Sequence, residues 1–132
     1  MAKKQPEARM VSYGLYTPFD RESEQLPQIL EFTDHVPARE GVEFGYILEI
    51  RKARGKVLTF RIDHPPFPDK SGETAPPFEG EQRIRAPEWH FFLGDTIWPP
   101  VEDKVGDWTL STWVDGDQVA SRTFHVVLNE EQ

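Results

Sequence analysis

The stretch from Gly106 to Val127 constrains the fold more than any other part of the chain. Trp108, Leu110, Thr112 and Val114 recur at every second position, as the residues on one face of an extended strand do. Asp115-Gly116 follows, and Ala120, Phe124 and Val126 return on a second strand. Two alternating runs joined by Asp-Gly form the strongest short-range hairpin signal, because a type I′ turn needs positive φ at both central residues. A closing hairpin of this kind argues for an all-β antiparallel sandwich.

The rest of the chain carries the same period. Met10 to Thr17 reads as a first strand, with Gly14 inside it marking a bulge or a close backbone approach. Ile29 to Phe32 is a short strand candidate, and one helical turn fits near Ser23 to Leu26. Val42, Phe44, Tyr46, Leu48 and Ile50 form the cleanest alternation, over Val42 to Lys52. Lys56 to Asp63 is the next strand and is expected to pair antiparallel with it. Gln82 to Arg85 and Glu88 to Leu93 complete a set of about seven or eight strands. Between them lies a connection, residues 64–80, that holds five of the 12 prolines. Connections this long are uncommon in compact domains and are usually functional or disordered. The expected organisation is a flexible tail over 1–9, one sandwich domain over 10–128 and a C-terminal tail over 129–132.

With 132 residues, one domain is expected. There is no cysteine, so neither a disulfide framework nor a thiolate site can be drawn. The net charge of -8 argues against nucleic-acid binding, which needs a cationic face to displace counterions. The basic start, Met1 to Met10, has no apolar stretch behind it. No secretory signal or membrane span is therefore expected, and the expected location is cytoplasmic.

With the hairpin placed, Gly106-Asp107-Trp108-Thr109-Leu110, then Asp115-Gly116, then Thr123-Phe124-His125-Val126, resembles the end of many immunoglobulin-like domains. From about Met10 to Val127 the chain is similar to a small bacterial family of unknown function. That resemblance implies an immunoglobulin-like or fibronectin-type-III-like sandwich and transfers no catalytic or ligand-binding residue. The ApaG family shares such a sandwich, but its G-x-G-x-x-G stretch is missing here, so no phosphate site is carried over.

Histidine and carboxylate are metal-ligand types, and Asp34-His35 and Asp63-His64 place them side by side. Their spacing fits no recognised metal motif. No serine lies in a nucleophile-elbow context, and no glycine cluster forms a phosphate loop. The basic run Arg51, Lys52, Arg54, Lys56 and Arg61 is expected at a hairpin tip, where it could dock a phosphate, an acidic partner or RNA; in so acidic a chain the solvated turn is the favoured reading. The aromatic residues are the better lead. Trp113 falls on the polar face of its strand, and Trp98 precedes Pro99-Pro100. With Phe67 and Phe78 of the proline-rich connection they could line a groove, and His64 joins them as a binding candidate.

The expected function is a non-enzymatic interaction module, with no cofactor, contacting a protein partner or a second copy of itself. Carbohydrate recognition through the same tryptophans is an alternative. A small metal-dependent enzyme using Asp63, His64 and His90 is a third.

Overall fold

Asp115 and Gly116 carry φ angles of 49° and 88°, as a type I′ turn demands, and the strands on either side pair from Val114–Asp117 to Gly106–Val126. In this computed structural model, which describes residues 6–20, 22 and 25–128, the hairpin forms the centre of a five-stranded sheet. The strands in chain order are β1 (Glu7–Tyr16), β2 (Ile29–Glu31), β3 (His35–Pro37), β4 (Glu43–Arg51), β5 (Val57–Asp63), β6 (Phe78–Arg83), β7 (Glu88–Thr96), β8 (Gly106–Val114) and β9 (Asp117–Val127). A 3-10 turn, Val101–Lys104, precedes β8. One sheet has the order β2-β1-β4-β7 and the other β3-β9-β8-β5-β6. The all-β sandwich expected from the sequence is the fold.

The core lies where the alternating faces predicted it. Phe44, Tyr46, Leu48 and Ile50 of β4 meet Trp108, Leu110 and Val114 of β8 and Phe124 of β9, all at 1% exposure or less. Phe44 sits edge-on to Trp108 at 5.4 Å and to Phe124 at 5.5 Å. Each such side chain contributes about 1.5–3 kcal/mol by leaving water. A polar pair at this depth is satisfied: the Tyr46 hydroxyl lies 2.7 Å from Thr112 Oγ1. Burial pushes the Tyr46 phenol well above its ordinary pKa. At the open side between β1 and β9, Arg122 makes a bidentate pair with Asp34 (2.6 and 3.1 Å) and lies 3.4 Å from the Tyr13 ring centre, tying the sheets together.

Four expectations are corrected. β4 and β5 do not pair: β4 lies between β1 and β7, and β5 between β6 and β8. Their apolar faces meet across the core, so residues 52–56 connect the two sheets and are no hairpin tip. The basic run is thereby dispersed, with Lys52 on Glu7 (3.0 Å), Lys56 on Asp115 (3.6 Å) and Arg61 on Asp63 (2.8 Å). The sandwich is not wholly antiparallel, because β3 runs parallel to β9, pairing His35 with His125 and Pro37 with Val127. The N-terminal tail is shorter than 1–9, since Glu7 and Arg9 already pair with Arg51 and Glu49 of β4. The strand expected at 82–85 begins earlier, at Phe78. Ser23 and Glu24 of the expected helical turn, residues 1–5 of the N-terminal tail and the whole tail 129–132 lie outside the described residues.

Gly14 is a close approach, as read from the sequence. Its φ is 134°, and a Cβ there would fall 2.0 Å from the Glu31 carbonyl oxygen.

Candidate functional site

The proline-rich connection is a built structure. His64 leaves the end of β5 and places both ring nitrogens 2.8 Å from backbone carbonyls, Nδ1 from Pro65 and Nε2 from Pro76. The ring thus braces the two ends of the segment. Its faces pack on Phe67 (4.4 Å between centroids) and Phe78 (4.6 Å), with Trp108 behind at 5.5 Å. At the far end the segment turns on itself. The Asp69 carboxylate accepts from the Ser71 hydroxyl (2.6 Å), the Ser71 amide (2.9 Å) and the Glu73 amide (3.2 Å). These donors, the Ser71 hydroxyl first, hold the Asp69 carboxyl below its ordinary pKa. Pro68 and Thr74 bridge, and the Ala75 amide donates to the Phe67 carbonyl at 2.8 Å. Proline supplies no backbone N–H, so the chain closes with the donors that remain.

The 3-10 turn forms the opposite support. Lys104, though nearly buried, binds Asp103 (2.6 Å) and the Pro100 carbonyl (3.1 Å) and sits 4.6 Å over the Phe67 ring. The Trp108 indole donates to the Lys104 carbonyl at 2.8 Å. Between these walls lies a groove of about 530 Å³ lined by Phe67, Ala75, Phe78, Trp98 and Trp108, with Asp69, Lys70 and Asp95 at its margin. Trp98 is 57% exposed and Phe78 37%.

Residues 4–126 match the family described as Domain of unknown function (DUF3859). The chain belongs to that family. No curated protein matches it. Among solved structures it is similar to an immunoglobulin-like protein from Pseudomonas aeruginosa, at 23% identity and a TM-score of 0.72, over 92% of this chain and 97% of that one. This likeness shows the fold: the DUF3859 chain is an immunoglobulin-like sandwich. A second structure, the Pseudomonas fluorescens alkylpurine DNA glycosylase AlkC bound to DNA containing an abasic site analogue, aligns at 16% identity and a TM-score of 0.46. It covers 96% of this chain and 31% of that one, a likeness too loose to bear on fold or function.

Of the five residues singled out in the sequence, the structure gathers Trp98, Phe67 and Phe78 in one groove and puts His64 behind it as a brace. Trp113 is elsewhere, half-buried on the outer face of the five-stranded sheet, beside a trough of about 500 Å³ with Thr59, Arg61, Glu79 and Glu81. Asp63, His64 and His90 do not converge. Asp63 holds Arg61, and His90 lies on the other sheet. Among the described residues, the one set spaced like metal ligands is Glu49, Glu88 and His90. Arg51 lies 3.6 and 3.8 Å from the two carboxylates, and Arg9 binds Glu49 at 3.2 Å. That hydrogen bond from Arg9 is the main reason the Glu49 carboxyl titrates below its ordinary range. The supports supplied by Asp69 and Lys104 were missed in the sequence. An Asp-x-Ser-x-Glu turn was legible for the first; no local signal marks the second.

Proposed function

We propose that this domain is a non-enzymatic interaction module that seats an apolar segment of a partner protein against Trp98, Phe67 and Phe78. The observation that carries the reading is an exposed tryptophan lining a groove whose opposite wall is braced by His64 and Asp69. Preformed aromatic walls suit hot-spot recognition, because little ordering remains to be done on binding. The groove walls are apolar, Lys104 is held by Asp103 and Asp69 by Ser71 and Glu73, and the exposed Lys70 stands at the margin. Such a lining favours an apolar protein segment over a sugar, whose hydroxyls need free polar groups. The net charge of -8 favours lysine or arginine on either side of that segment.

Selection from a random-peptide display library tests this. Peptides with an apolar centre and basic flanks are expected to be enriched, and Trp98→Ala is expected to lose them. No enrichment, or equal retention by Trp98→Ala, would overturn the reading. A second reading, a sugar ring stacked on Trp113, is supported by the trough of Arg61, Glu79 and Glu81 beside that indole. Titration with soluble glycans would then shift tryptophan emission in the wild type and not in Trp113→Ala.

A further inference from the structure

We propose that the free edge of β6 accepts an extended basic strand of a partner protein as the sixth strand of the five-stranded sheet. This rests on the interaction-module reading and gives it a binding mode. β6 is the last strand of its sheet, paired only with β5, from Ile62–Phe78 to Val57–Arg83. Five of its six residues are exposed, and among the described residues no loop bonds to the backbone of 79–83. An unpaired strand edge is a template for strand addition. The other edges offer less. β2 and β3 are three residues long, and β7 is buried from Phe91 to Gly94.

Clefts flank β6 on both faces. Phe78 and Gln82 line one of about 470 Å³ with Phe60 and Phe91, between the two sheets. Glu79 and Glu81 line the trough of about 500 Å³ that leads to Trp113. A strand set about 4.8 Å outward would send alternate side chains toward these two spaces. Gly80 keeps the inner side flat: a Cβ there would lie 2.5 Å from the Phe60 ring, which crosses the position instead. Phe78 also lines the Trp98 groove, so a strand on β6 ends where the apolar site begins.

Charge selects the occupant. Glu79 and Glu81 share the outer face; Glu79 meets Arg61 at 3.1 Å, and Glu81 makes no ion pair among the described residues. The Arg83 guanidinium is engaged by the Gly55 carbonyl at 2.8 Å. If two copies paired through 78–82 about Gly80, Glu79 of each would oppose Glu81 of the other. Like charges directly opposite destabilise a strand pair, whereas lysine or arginine there stabilises it. In that register the two glutamates disfavour a second copy and suit a basic partner strand.

The probe is a capped octapeptide alternating lysine and valine, titrated into the isotope-labelled chain. Slowed amide exchange confined to 78–83 is expected, with about ten-fold weaker binding for Glu81→Lys. The glutamate–valine peptide, and one with the lysines and valines in two separate blocks, are expected to give no protection. Equal protection by the block peptide, protection elsewhere, or none at all overturns the proposal. A self-paired dimer through β6 does so too. Peptides that depend on Trp98 while nothing protects 78–83 would overturn strand addition alone. Protection that persists in Trp98→Ala, with no selected peptide, would overturn the groove alone.

Discussion

Replacing His64 by alanine tests the bracing of the groove. The neutral ring has one N–H and donates to one of its two carbonyls; the imidazolium donates to both. One such hydrogen bond contributes about 1 kcal/mol. The contacts with Phe67 and Phe78 contribute about 1 kcal/mol each. His64→Ala is therefore expected to cost about 3 kcal/mol. Across 132 residues, an unfolding entropy of about 2.1 cal/mol/K per residue gives about 0.28 kcal/mol/K, so Tm falls by about 10 °C. His64→Phe keeps the ring contacts and gives up the hydrogen bond, which water replaces in part. It is expected to cost about 1 kcal/mol and to leave peptide binding at Trp98 largely intact. Calorimetry and urea titration read both variants. A loss below about 1 kcal/mol in His64→Ala would refute the bracing role, and equal damage from His64→Phe would refute the share assigned to the ring contacts.

Three other predictions follow from named contacts. Tyr46→Phe and Thr112→Val each strand a buried partner and should cost about 1–3 kcal/mol by denaturant titration, while the double variant should be no worse than the worse single one. Gly14→Ala should cost at least about 2 kcal/mol, because its Cβ would press on the Glu31 carbonyl at a φ of 134°. The Asp69 carboxyl has its pKa depressed in the native state. Its contribution is therefore full above the ordinary carboxyl pKa and lost as pH falls through the lowered one. Amide signals of residues 69–73 should show an acid transition that Asp69→Asn removes.

The sandwich was legible because its cues are local. The Val42–Ile50 alternation and the Asp115-Gly116 turn each fix a face or a reversal within a few residues. Strand partnership is not local: nothing in Lys52 to Lys56 says that the chain changes sheets there. β3 escaped because three residues ending in Pro37 carry no periodicity, and its pairing with β9 spans ninety positions. At the site, aromatic type drew attention to Phe67, Phe78 and Trp98. Period 2 placed Trp113 on the outer face, away from them. The role of Lys104 depends on Phe67 and Trp108 meeting in space, which spacing along the chain does not encode.

The most direct test of the interaction-module account is an intermolecular NOE measurement on the labelled chain with a display-selected peptide. The account predicts contacts from an apolar peptide side chain to the Trp98 indole and the Phe67 and Phe78 rings, lost in Trp98→Ala. Contacts confined to another surface, or a peptide that binds Trp98→Ala equally well, would contradict it.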